Sequence, residues 1–368
     1  MRYLVLTLFI LLISMQTHAN NFEAEGSDLL MGVGAKNIAK AGAVTAGTDD
    51  IYSIFWNPAG LSEIDNYEIS LSSQANYKIS PANFLGAAYV TKFQELNLKL
   101  ALAFALIPRV YIKSSGLFKE NEFETIFIKY ALPNVQGDFN ADIISKTDDF
   151  RFAAAISPIY NKSWSLGFAI GYVNCTTTFG GITLEDPSNY KSISTLATTI
   201  SYNMGAKYYV NDKLTLATNL KNIDSMLTVK IHQIDDNGET DLSLETNVPY
   251  DLTIGADYKV NKDIDLAMDY QYVFGSYGHT YITYKVLRFG ATLSDDNINY
   301  HFGLMAMQEV NSPEFEDVDP PFPVAPTAGI GWHTGNIDLS FAFYFHPIMS
   351  LYKGKASPAS DLSISYSF

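Results

Sequence analysis

Leu96-Asn97-Leu98-Lys99-Leu100-Ala101-Leu102-Ala103-Phe104-Ala105-Leu106 alternates bulky apolar side chains with small or polar ones, residue by residue. Successive side chains of a strand point to opposite faces, so this stretch predicts a strand with one apolar face and one small face. The same period returns where Ile264, Leu266, Met268, Tyr270, Tyr272 and Phe274 alternate with Asp265, Ala267, Asp269 and Gln271. It returns again where Ile337, Leu339, Phe341, Phe343 and Phe345 alternate with Asp338, Ser340, Ala342 and Tyr344. Similar patterns occupy 68–77, 83–92, 150–159, 163–175, 194–210, 212–221, 249–260, 281–294, 297–309, 325–334 and 360–368, which makes fourteen predicted strands. Within 281–294 the phase slips between Val286 and Leu287, predicting a β-bulge.

The connections decide the architecture. Tight turns at 93–95, 160–162, 211–212, 261–262, 295–297 and 334–336 alternate with longer links at 107–149, 176–193, 222–248, 275–280, 310–324 and 347–359. Every long link falls on one side of an up-and-down meander, as in an outer-membrane barrel with short periplasmic turns and long external loops. Trp164, Tyr208, Tyr258, Trp332 and Tyr366 gather near the predicted periplasmic turns, as an interfacial aromatic girdle requires. The chain ends on Leu362, Ile364, Tyr366 and Phe368 along one face, which resembles the signal read by the barrel-assembly machinery. The expected fold is all-β: a fourteen-stranded antiparallel transmembrane β-barrel over 67–368, in the outer membrane of a Gram-negative cell.

Composition agrees. The chain has 368 residues, 47% hydrophobic and 14% aromatic, yet its longest apolar run after the first twenty residues is 100–107. That is far short of the ~18 residues of a membrane helix. A net charge of −15 disfavours nucleic acid as a partner. The single Cys175 excludes an intrachain disulfide framework and a Cys-based zinc site. Residues 1–19 read as a secretory signal peptide, with Arg2, an apolar 4–13 segment and Thr17-His18-Ala19 before a cut at Asn20. The acidic excess sits largely in external links, at 235–239 and 314–319, where it keeps the loops soluble beside outer-membrane lipid and lipopolysaccharide.

The inward set is small and mildly polar, including Ala101, Ala103, Ala105, Ala153, Ala155, Gly167, Ala169 and Gly205. Its charges are scattered, and no opposed ladders of a diffusion porin assemble from them. Lys99, Arg151 and Arg288 are the candidates, by sign, for orienting a carboxylate head group.

Residues 20–66 lack strand alternation. They carry Gly32-Val33-Gly34-Ala35, Gly42-Ala43-Val44, Asp49-Asp50 and Asn57-Pro58-Ala59-Gly60-Leu61. The Gly-Val-Gly pair follows no strand, so a dinucleotide-binding reading fails. Asp49-Asp50 has no third metal ligand nearby; an N-cap or a partner for a lumen cation fits it better. In this order the pieces resemble the amino-terminal region of FadL-type outer-membrane transporters of long-chain fatty acids and aromatic hydrocarbons. The resemblance implies that 20–66 form a hatch inside the lumen, with Gly32, Gly34, Asp49, Asp50, Asn57, Pro58 and Ala59 as its motif residues. It also implies that external loops collect a hydrophobic ligand, with Leu117, Phe118, Phe123 and Phe127 of link 107–149 as collectors, and that the protein is a monomer. The inward kink that such proteins use for a lateral exit has only Pro108 and Pro158 as candidates.

The expected function is therefore passive uptake of hydrophobic small molecules, without cofactor or metal. The rivals are a secretion-accessory protein of the same fold and a simple porin. An enzyme is disfavoured, because His232, His279, His301, His333 and His346 form no His-Glu-x-x-His and no Gly-x-Ser-x-Gly is present.

Overall fold

The computed structural model describes residues 21–25, 31–75, 83–118, 139–183, 190–235, 238–277, 280–311, 324–346, 350 and 356–368. The expected signal peptide, Phe123, Phe127 and the acidic 314–319 stretch lie outside the described residues. The wall strands are β1 (Glu68–Ala75), β2 (Phe84–Phe93), β3 (Leu98–Phe118), β4 (Phe139–Pro158), β5 (Trp164–Thr183) and β6 (Tyr190–Tyr209). Two interrupted strands follow, β7 (Leu214–Lys221 with Met226–Asp235) and β8 (Gly238–Asn247 with Tyr250–Lys259). β9 (Ile264–Tyr277), β10 (Thr280–Asp295), β11 (Ile298–Asn311), β12 (Val324–Thr334), β13 (Ile337–Phe345) and β14 (Pro358–Ser367) complete the circuit. β14 pairs antiparallel with β1, from Ser360 opposite Ala75 to Ser367 opposite Glu68, so the sheet closes and has no open edge at the seam. Phe368 reinforces that seam: its N–H donates to Tyr67 O at 3.0 Å, and its ring meets Tyr366 edge-on at 4.7 Å.

The outward face is the apolar one. Leu102, Phe104, Phe152, Phe168, Ile170, Ile254, Leu266, Phe289, Phe302 and Phe341 are exposed in register around the barrel, while Ala101, Ala103, Ala105, Ala153 and Ala155 are buried inside. No helix among the described residues is long and apolar enough to cross a membrane; the crossing is made by strands.

Three features differ from the sequence reading. First, Leu96-Asn97 belong to the turn rather than the strand, because Asn97 adopts a left-handed φ of 49°. Second, links 107–149, 176–193 and 222–248 are largely strand. β3 pairs with β4 up to Leu117 opposite Asn140 and Phe118 opposite Phe139, so those two residues sit on a ladder rather than in a loop. The extensions escaped notice because their chemistry inverts above the membrane. There Leu227, Val229 and Ile231 point inward and are buried, while Thr228, Lys230 and His232 point out to water. Third, the bulge is one position from the predicted slip, at Lys285/Val286, and its extra residue, Gln308, is on β11. A further shift at Pro108/Val110 in β3 makes Arg109 the extra residue of a bulge, where Pro108 also lacks a donor.

The apolar exterior makes a direct prediction. Phe152→Arg puts a charge on the lipid face and should cost roughly 2–4 kcal/mol, read as a lowered urea midpoint for refolding into vesicles. An unchanged midpoint would place Phe152 away from lipid.

Candidate functional site

Residues 31–64 fold inside the barrel as an insert of irregular backbone, with α1 (Ala35–Ala39), α2 (Ser53–Trp56) and a 3-10 turn (Pro58–Glu63). Short helices leave most of their carbonyls and amides without internal partners. The wall supplies them. Arg288 Nη1 donates to Ala41 O at 2.9 Å, Lys207 Nζ to Thr48 O at 2.9 Å, and Asn219 Nδ2 to Trp56 O at 2.6 Å. Thr327 Oγ1 donates to Ala39 O at 2.7 Å, and Arg151 Nη1 reaches Ile54 O at 3.4 Å. In the other direction, Asp269 Oδ2 accepts from Val44 N and Thr45 N, each at 2.9 Å.

The motif residues build the seat. Asn57 Oδ1 caps Ala59 N at 3.1 Å, and Asn57 Nδ2 donates to Thr45 O at 2.8 Å. Pro58 opens the 3-10 turn, where its missing N–H is not needed. Against this turn the wall carries glycine. A Cβ at Gly205 would lie 1.9 Å from Asn57 Oδ1, and one at Gly167 would lie 2.3 Å from Ala59 N. Gly32 and Gly34 take φ of 71° and 84°, and a Cβ on them would strike the Trp56 and Tyr52 rings. Lys36 bridges the acid pair, 2.6 Å from Asp49 and 3.2 Å from Asp50, and Asp50 Oδ1 also accepts from Tyr52 N at 3.1 Å. Burial pulls the Lys36 ammonium down, but the two carboxylates win and hold it above its usual range. Glu63 at the far end takes Lys162, Lys207 and Tyr209.

Above α2 the charges converge. Arg109, Arg151 and Lys221 surround the Phe55 ring, at 5.2, 5.2 and 4.7 Å from its centroid. Lys221 also lies 5.9 Å from the centroid of Trp56, and Arg288 Nη1 and the Trp56 ring both close on Gly42. Fully buried Asp149 binds Arg151 at 2.8 Å and Arg109 at 3.3 Å. Lys221 has no hydrogen-bond acceptor among the described residues.

Of the three predicted cations, Arg151 and Arg288 therefore meet on this floor. Lys99 does not; it pairs with Asp65 at 3.3 Å near the periplasmic turn. Arg109 and Lys221 were missed, since Arg109 reaches the floor only through the β3 bulge and Lys221 ends a strand before a presumed loop. Asp149 could have been read, because it stands two residues from Arg151 and so shares its face. Over the floor rise the inner faces of the extensions, where Ile112, Phe179, Ile193, Leu227, Val229 and Ile231 are buried. The amino-terminal strand Asn21–Glu25 also reaches this level. It pairs with Tyr111–Ser115 of β3, whose ladder with β2 ends at Leu106 among the described residues.

Solved structures of the same shape exist. The toluene transporter TbuX of Ralstonia pickettii superposes with a TM-score of 0.62 at 15% identity, over 92% of this chain and 99% of that one. The toluene transporter TodX of P. putida gives 0.59 at 12% identity, over 92% and 99%. A FadL homologue of Pseudomonas aeruginosa gives 0.57 at 11%, over 91% and 98%. The chain has the FadL-type barrel fold. No family model matches the sequence, and no curated protein matches it. The expected fourteen-stranded antiparallel barrel is thus the fold observed.

The glycine seat can be tested. Gly205→Val drives a branched side chain into Asn57 and should unseat the turn, raising single-channel conductance in planar bilayers about tenfold while the heat-modifiable barrel band persists. Wild-type conductance in this variant would show that the seat does not seal the lumen.

Proposed function

We propose that the protein takes up hydrophobic small molecules with an anionic head group across the outer membrane, long-chain fatty acids being the class that fits best. The supporting observation is the order of surfaces along the lumen. Apolar inner faces at Ile112, Phe179, Ile193 and Val229 stand above a floor of Arg109, Arg151, Lys221 and Arg288. An amphiphile fits that order with its tail up and its charge down. Lys221, with no hydrogen-bond acceptor of its own among the described residues, is the natural receiver of the head, and the four floor cations outnumber the three carboxylates beside them, Asp149, Asp251 opposite Lys221 and Asp269 opposite Arg288. Two of the similar structures are toluene transporters, and toluene would leave the charged floor unused.

In this reading residues 20–66 act as a hatch, with Gly32, Gly34, Asp49, Asp50, Asn57, Pro58 and Ala59 fixing its fold and seat. Uptake is passive, down the gradient maintained by consumption inside the cell. An insert packed into the wall argues against an open diffusion porin, and no observation among the described residues favours a secretion-accessory role.

Binding by tryptophan fluorescence separates acid from neutral ligands. Oleate should bind more tightly than oleyl alcohol, and Lys221→Gln should weaken oleate about tenfold, ~1.4 kcal/mol, with the alcohol unchanged. Equal affinity for the two in the wild type would overturn the anionic-head reading. Mass spectrometry of small molecules kept through mild-detergent extraction should recover free fatty acids from the wild type in excess over a variant lacking 20–66.

A further inference from the structure

Phe55 belongs to the insert, but what surrounds its ring belongs to the wall. Three cationic groups, from Arg109 on β3, Arg151 on β4 and Lys221 on β7, lie within about 5 Å of one ring centroid. Lys221 also reaches the neighbouring Trp56 ring, which meets Phe55 edge-on at 5.2 Å. Fully buried Asp149 is shared by the two arginines, and Asp251 stands opposite Lys221 in the ladder. The cations that would receive a head group are thus the ones that grip α2.

We infer that Phe55 is an electrostatic latch: its ring holds α2 against the wall cations, and an anionic head group arriving at Lys221 draws those cations off the ring and loosens the insert. The inference rests on the proposal that the ligand is anionic. Its physical basis is competition. A ring quadrupole attracts a cation, but a carboxylate offers charge-assisted hydrogen bonds and attracts it more strongly. Arg151 carries a second tether, its bond to Ile54 O at 3.4 Å, so a shift of this guanidinium toward the ligand weakens α2 twice. A neutral ligand of the same length adds apolar contact without pulling on the latch. Linkage makes the coupling reciprocal: whatever frees the cations from Phe55 must tighten head-group binding by the same factor.

That reciprocity distinguishes a latch from mere packing. The test is hydrogen exchange at residues 53–56 of the full-length protein in detergent, with oleate or oleyl alcohol added and binding followed separately by fluorescence. In the wild type, oleate should speed exchange about tenfold and oleyl alcohol should not. Phe55→Leu keeps apolar bulk but removes the ring; its exchange should be fast without ligand, and it should bind oleate about tenfold more tightly than the wild type. Phe55→Tyr should restore the oleate response, and Lys221→Gln, which removes the receiving cation while Arg109 and Arg151 still flank the ring, should abolish it. Bound oleate that leaves exchange unmoved, equal acceleration by the alcohol, or Phe55→Leu binding oleate no more tightly would each overturn the latch while leaving uptake standing. Failure of oleate to bind the wild type at all would remove the anionic-ligand proposal and the latch together.

Discussion

An N–H or C=O left unpaired in hydrocarbon, or sealed in a lumen away from water, costs several kcal/mol, and this one constraint organises the molecule. In the wall it is met by closure, with β14 returning to β1 so that the seam carries a full ladder. In the insert, helices of four or five residues cannot meet it alone. The wall therefore sends in Arg288, Lys207, Asn219, Thr327 and Arg151 as donors, and Asp269 as an acceptor. Small residues on the inner face are the complement of the same demand. Gly205 and Gly167 exist where the insert backbone comes too close for a Cβ.

The wall and its insert were legible to different depths. Leu98 to Leu106 announces its strand because lipid forces bulk outward and the insert forces smallness inward. Above the membrane both pressures reverse, and Leu227, Val229 and Ile231 face in. A reader looking for apolar residues outside finds polar ones and hears a loop. The breaks in β7 and β8 strengthen that impression, since Asn222 and Asp224 turn with positive φ and Pro249 lacks a donor. The Asn57-Pro58-Ala59 turn was visible as a motif, but its reason was not. That reason is a bond from Asn57 to Thr45 O and a distant glycine, Gly205, neither of which has a local signature. Arg151 could be nominated by sign alone; Arg109 needed a bulge to bring it round, and Lys99 shows that sign is not enough.

The inversion along the strands is also what gives the lumen its polarity. One continuous ladder carries apolar residues on its inner face outside the membrane and charge on its inner face within it. A net charge of −15 makes the cationic floor around Phe55 a local exception rather than a reflection of the whole. Local excess of this kind, in a low-dielectric enclosure, selects by charge more strongly than the same groups would in water. In the proposed uptake the acidic exterior and the basic floor have separate tasks, solubility of the extensions and reception of the ligand.

In the proposed uptake the ligand lies tail-up with its head on the floor. The most direct measurement is a crystal structure with a fatty acid brominated at its terminal carbon, located by anomalous scattering. Bromine should lie among Ile112, Phe179 and Val229, and the carboxylate at Lys221. Bromine at the floor beside Phe55, or ligand confined to the outer surface of the barrel, would contradict it.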